Sequence, residues 1–85
     1  MKGQKKAVTR YVGIDLGKRT YEVAIVENGS VKKSNGKTFT AGRQALYKKL
    51  RSTDKVALEA GNMAFIMAKE IGLYPIRYTL LSDNA

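Results

Sequence analysis

The dipeptide Asn28-Gly29 separates a run that is apolar on both faces, Thr20 to Glu27, from one that is almost wholly polar, Ser30 to Phe39. Both residues tolerate the positive φ that a two-residue hairpin turn demands, so the two runs are expected to pair as antiparallel strands. In the first run Tyr21, Val23 and Ile25 alternate with Glu22, Ala24 and Val26. Beyond Glu22 both faces are apolar, which suits an interior strand of a sheet covered on both sides. The second run carries Lys32, Lys33, Ser34, Asn35 and Lys37. Lysines on an outer strand block unwanted pairing, so this is the natural edge of the sheet.

The other elements build outward from that hairpin. Arg10 to Leu16 reads as a short apolar strand ended by Gly17, joined to the Thr20 strand by a second tight turn. Thr40 is placed to cap a helix over 41–51 whose apolar positions Leu46 and Leu50 lie one turn apart. Lys55 to Glu59 is a fourth strand. Asn62 is placed to cap a second helix, 62–71, stopped by Gly72 and apolar on more than one face through Met63, Phe65, Ile66, Met67 and Ile71. Pro75 opens a last strand. Each of the last two strands follows a helix and should return parallel by a right-handed crossover. The fold class is therefore α/β: a mixed sheet of about five strands in order 3-2-1-4-5 with two helices, the ribonuclease H-like layout.

Charge is unevenly placed along the 85 residues. Residues 1–51 hold 13 Lys and Arg against three acids, a net of +10, and residues 52–85 hold three against four, a net of −1. Such asymmetry suggests a polyanionic partner for the first half, most often nucleic acid; a solvated surface with a basic tail is the plainer alternative. Residues 1–9 read as a flexible basic arm. Cysteine, histidine and tryptophan are absent, which excludes disulfides, a Ser-His-Asp or Cys-His triad, and zinc held by thiolate or imidazole. A bound metal must accept oxygen ligands, as Mg2+ or Mn2+ does. No apolar run approaches the roughly 20 residues of a membrane span, and no signal-peptide core follows the basic start, so a cytoplasmic protein without membrane contact is expected.

Two acids finish apolar strands. Asp15 follows Val12 and Ile14, and Glu59 follows Val56, Ala57 and Leu58. A carboxylate there is costly to desolvate unless paired or metal-bound. If strands one and four are parallel neighbours about 4.8 Å apart, the two side chains meet at the carboxyl ends of the sheet, where open α/β sheets bind ligands. The alternative is that both are ordinary acids at strand ends, with Asp15-Leu16-Gly17 a plain turn.

The segments YVGIDLGKRTYEVAIVENG and KVALEAGNMAF together resemble the N-terminal domain of the DEDD transposases, insertion-sequence family one hundred and ten, which includes the pilin-gene invertases. The matching features are Gly13-Ile14-Asp15, the basic Lys18-Arg19, Leu58-Glu59-Ala60, the helix that follows, and Gly72-Leu73-Tyr74-Pro75. The resemblance implies a RuvC-like, ribonuclease H-like domain whose four acids hold Mg2+ for DNA strand cleavage and transfer. Asp15 and Glu59 match the first and second of those acids. The other two, and the serine of a C-terminal domain, fall beyond the equivalent of Ala85, so residues 10–85 are expected to be the N-terminal part of a truncated catalytic domain. Asp83 lies too early to replace them and reads as a loop acid.

The resemblance further implies DNA as partner, a structured guide RNA, and a homo-oligomer in the full-length protein. Nucleic-acid contacts are expected at Lys18 and Arg19, which leave the first strand beside Asp15, and more weakly at Lys32, Lys33 and Lys37. Two other functions fit parts of the sequence. In an actin-like ATPase or sugar kinase, Gly-Ile-Asp-Leu-Gly would open a phosphate loop. A non-catalytic module would use the same basic residues only to bind nucleic acid.

Overall fold

The computed structural model describes residues 9–59, 64–74 and 76–81. Its elements run β1 (Tyr11–Leu16), β2 (Thr20–Glu27), β3 (Ser30–Lys37), α1 (Thr40–Lys49), β4 (Lys55–Glu59), α2 (Ala64–Gly72) and β5 (Arg77–Leu81). The fold is α/β, with one five-stranded mixed sheet in the order β3-β2-β1-β4-β5. β1 pairs antiparallel with β2 and β2 with β3, while β4 lies parallel to β1 and β5 parallel to β4. Asn28 and Gly29 take the positive φ values, 52° and 78°, that close the β2–β3 hairpin. The lysine-rich β3 is the outer strand, as its sequence requires.

Both crossovers carry the chain the same way across the sheet, from β3 past β2 and β1 to β4, and from β4 to β5. Right-handed connections in one direction put both helices on one face. The core accordingly lies between that face and the helices. Val12, Ile14, Tyr21, Val23, Val56 and Leu58 pack against Leu46 and Tyr47 of α1 and Met67, Ala68 and Ile71 of α2. The opposite face is open among the described residues. β2 is interior in the sheet; on its outer face, among the described residues, Glu22 and Val26 are exposed and Ala24 is half-buried. The apolar breadth of α2 is likewise not all core, since Phe65 is 69% exposed and Ile66 44%.

The helix ends differ from the sequence expectation. Thr40 is the first residue of α1 rather than its cap; Phe39 holds the cap position, with no side-chain cap bond, and α1 ends at Lys49. The preceding Thr38 is engaged elsewhere, its hydroxyl donating to the Lys18 carbonyl at 3.0 Å. Gly72 ends α2 in helical conformation and is not a left-handed stop. The last turn tightens instead, with the Leu73 amide on the Glu70 carbonyl and the Tyr74 amide on that of Ile71. β5 begins at Arg77 rather than at Pro75. Residues 1–8 of the basic arm, the cap expected at Asn62, Pro75 and Asp83 lie outside the described residues.

Of the three ion pairs among the described residues, the two shorter ones fasten this frame. Arg10 grips Asp54 with both arms, Nε to Oδ1 at 2.9 Å and Nη2 to Oδ2 at 2.7 Å, and also donates to the Lys49 carbonyl. Between the helices, Arg43 donates to both oxygens of Glu70 at 2.8 and 3.0 Å and to the Thr38 carbonyl, and the Tyr47 hydroxyl donates to Glu70 Oε1. Hydrogen bonds from Arg43 hold the Glu70 carboxyl below its usual range against the desolvation that raises it, and Tyr47 adds to the depression. Burial pushes the Tyr47 hydroxyl well above its ordinary range, and the bond to Glu70 raises it further.

A depressed folded-state pKa stabilises the fold above the unfolded value and loses that contribution as pH falls through the folded one. Wild-type urea midpoints are therefore expected to fall as pH drops below about 4.3, the ordinary Glu value. Glu70→Gln is expected to lower the midpoint at neutral pH and to flatten this acid limb. An acid limb as steep as that of the wild type would show that Glu70 does not contribute to it.

Candidate functional site at the carboxyl ends of β1 and β4

Strand alternation assigns each side chain to a face. On β1, Val12 and Ile14 point into the core, so Tyr11, Gly13 and Asp15 lie on the open face. β4 repeats the pattern, with Val56 and Leu58 buried and Lys55, Ala57 and Glu59 outward. The two strands are parallel and in register through Gly13↔Ala57 and Ile14↔Leu58. One further step sets Asp15 beside Glu59. Both are exposed at the carboxyl ends of neighbouring strands, on the same face and at the same edge of the sheet.

These acids line one concavity of about 510 Å³, together with Glu22, Lys33 and a floor of Gly13, Ala24 and Ala57. Glu22 was not singled out from the sequence, where it read only as the polar position of β2. The signal was available: a short turn pairing Leu16 with Tyr21 necessarily pairs Asp15 with Glu22, which is the observed register. Three carboxylates thus share one end of the face. Among the described residues, however, no group of three or more acids is arranged to hold a metal ion. The donors are all carboxylate oxygens, a set suited to a hard cation. Mg2+ commonly uses one or two protein carboxylates and completes its shell with waters and substrate phosphates, so the pair Asp15 and Glu59 fits such an ion.

The five basic residues divide by position. Lys18 and Arg19 form the exposed β1–β2 turn, at the same end of the sheet as Asp15. Their carbonyls accept from Thr38, which fixes the turn and leaves the cationic ends outward. Lys33 and Lys37 pair with Ala24 and Thr20 and lie on the open face, whereas Lys32 pairs with Ile25 and lies on the helix side. Only Lys33 of the five borders the concavity. The Gly17 amide donates to the Thr20 carbonyl at 2.8 Å, so this turn spends on itself an N–H group that a phosphate loop would present. No protein-family model matches the chain, and no curated protein matches it significantly.

Proposed function

We propose that the chain is the N-terminal part of a ribonuclease H-like catalytic domain of a DEDD-type transposase or site-specific recombinase. In this reading Asp15 and Glu59 are two of the four acids of a Mg2+-dependent DNA cleavage and transfer site, with Mn2+ able to substitute. The observation that carries the reading is the side-by-side placement, by strand register, of these two exposed acids at the carboxyl ends of the parallel neighbours β1 and β4. The strand order agrees with the ribonuclease H-like layout. The cation, when bound, would supply charge stabilisation at the transferring phosphate. The chain's own part is to hold two carboxylates rigidly on adjacent strands and to present Lys18 and Arg19 to the DNA backbone beside them. The proposal carries with it a cytoplasmic setting, a homo-oligomeric full-length protein and a structured guide RNA.

Manganese binding followed by electron paramagnetic resonance tests the site. Wild-type chain is expected to bind Mn2+ weakly, because two carboxylates leave most of the shell to water. Asp15→Ala and Glu59→Ala should each abolish binding while leaving the circular dichroism spectrum unchanged, both positions being on the surface. Binding that survives both changes rejects the pair as ligands. With only this half-site, the 85-residue chain is expected to leave supercoiled plasmid intact in millimolar Mg2+ or Mn2+; metal-dependent nicking lost in Asp15→Ala would show instead that two acids suffice.

A further inference from the structure

The open face is a grid of three rows crossing five strands, and its charges are ordered. The row at the amino ends of β1 and β4 reads Val31, Val26, Tyr11, Lys55 and Arg77, from β3 to β5. The middle row has Ala24, Gly13 and Ala57 at its centre, between Lys33 and Thr79. The last row sets Glu22, Asp15 and Glu59 between Asn35 and Leu81. Within these rows three cations balance three acids, in a chain whose net charge is +9. Apolar surface accompanies the charge: Tyr11 is 54% exposed, Val31 55% and Leu81 50%.

This balance decides what fits. A partner of one charge sign would be opposed by half of the face. A second copy, given a half-turn about an axis running across the strands, meets its complement. Lys55 falls opposite the partner's Glu59 and Tyr11 opposite the partner's Asp15, each twice by symmetry. A half-turn about an axis along the strands would instead set Asp15 on the partner's Asp15 and Glu59 on the partner's Glu22, which like-charge repulsion disfavours. Either turn keeps the strands aligned, as packed sheets prefer. Such sheets lie about 10 Å apart, a gap that opposed lysine and glutamate side chains span. The middle row admits the approach. A Cβ at Gly13 would meet no atom of its own chain within 4 Å, and its φ is not positive. Glycine inside a strand weakens it, and close approach of another backbone is one reason to keep it. Three rows over five strands span roughly 24 by 17 Å, about 400 Å² of plane area per copy. That is below the roughly 800 Å² per partner of a standard interface, so such a dimer is weak and concentration-dependent.

We propose that the open face docks a second copy of this chain about that two-fold axis, and that the dimer withholds Asp15 and Glu59 from a divalent cation. The partner's Lys55 and the ion compete for the same carboxylate. The second part rests on the preceding reading of those two acids; the docking itself requires no metal.

The test is sedimentation equilibrium of the whole chain in EDTA, over about 0.01–1 mM. The wild type is expected to pass from monomer toward dimer across this range. Lys55→Glu and Glu59→Lys each set like charges opposite one another twice, and each should weaken self-association by about 10- to 100-fold. Mixed in equal amounts, the two variants should associate as the wild type does, because each meets its opposite at both positions. Repulsion between whole molecules predicts otherwise: Lys55→Glu lowers the net charge and would strengthen the dimer. Gly13→Val should weaken the dimer while leaving the thermal midpoint at or above that of the wild type, since valine favours strands and meets no neighbour in its own chain. A wild type monomeric throughout, a mixture no more associated than its components, or a folded Gly13→Val chain that dimerises like the wild type overturns the docking. Mn2+ should shift the wild type toward monomer; a dimer that binds Mn2+ and stays a dimer overturns the withholding of the acids. Failure of the metal reading appears separately, as absence of Mn2+ binding even to dilute monomer, and leaves the EDTA equilibria as they are.

Discussion

Arg10→Ala is expected to bring the chain to the edge of unfolding at 25 °C. Asp54 is 1% exposed and Arg10 8%. Removing the guanidinium strips two hydrogen bonds from the carboxylate and leaves it the Arg51 amide at 2.8 Å as its remaining hydrogen bond. Burial pushes the Asp54 carboxyl up, and its bonds to Arg10 and the Arg51 amide outweigh that and hold it below its ordinary value. Without Arg10 the burial cost stands uncompensated. Breaking a buried pair from one side costs about 3–5 kcal/mol. A domain of this length has roughly 4–13 kcal/mol in total. Urea denaturation followed by circular dichroism should show the midpoint lost or nearly so, and the double change Arg10→Met with Asp54→Leu should recover much of it, because an apolar pair leaves no buried charge. A single variant with a wild-type midpoint would mean that the pair contributes nothing.

Gly42→Ala is expected to destabilise, although alanine in a helix interior ordinarily gains about 1 kcal/mol over glycine. Gly42 lies in the first turn of α1, where a Cβ would overlap the Lys37 carbonyl oxygen and carbon. That obstacle is backbone and cannot swing aside. The Gly42 carbonyl also accepts the Tyr21 hydroxyl at 2.9 Å, so a shift of the helix start strains a buried ring as well. Overpacking of this kind costs about 1–3 kcal/mol, a fall in thermal midpoint of order 10 °C for a domain of this size. Gly72→Ala, where a Cβ meets nothing within 4 Å, should move the midpoint the other way. Equal signs for the two variants would show that helix propensity alone governs both.

The strand order was readable because each step had a local cause. Asn28-Gly29 dictated one hairpin, lysines marked the outer strand, and helices between the later strands dictated parallel returns. The adjacency of Asp15 and Glu59 followed from that order and needed no long-range knowledge. The start of α1 was not readable, because Thr40 suits a cap by type, whereas Phe39 takes the cap position with no side-chain bond. An apolar strand face states a preference for cover, while the handedness of the two crossovers decides which face α1 and α2 reach. The Arg10–Asp54 pair spans 44 positions with no local pattern. It was nonetheless implicit in the register, since extending Tyr11↔Lys55 back by one step sets the two side by side.

The alternation along β1 and β4 has a consequence for the accuracy of assembly. Each carboxylate is the immediate chain neighbour of a core residue, Asp15 of Ile14 at 2% exposure and Glu59 of Leu58 at 0%. A slip of either strand by a single residue would exchange them, driving a charge into the interior and an aliphatic side chain into water. A carboxylate pair misaligned by one residue therefore comes with a ruined core. The alignment of the two acids is proofread by hydrophobic burial on the other side of the same strands.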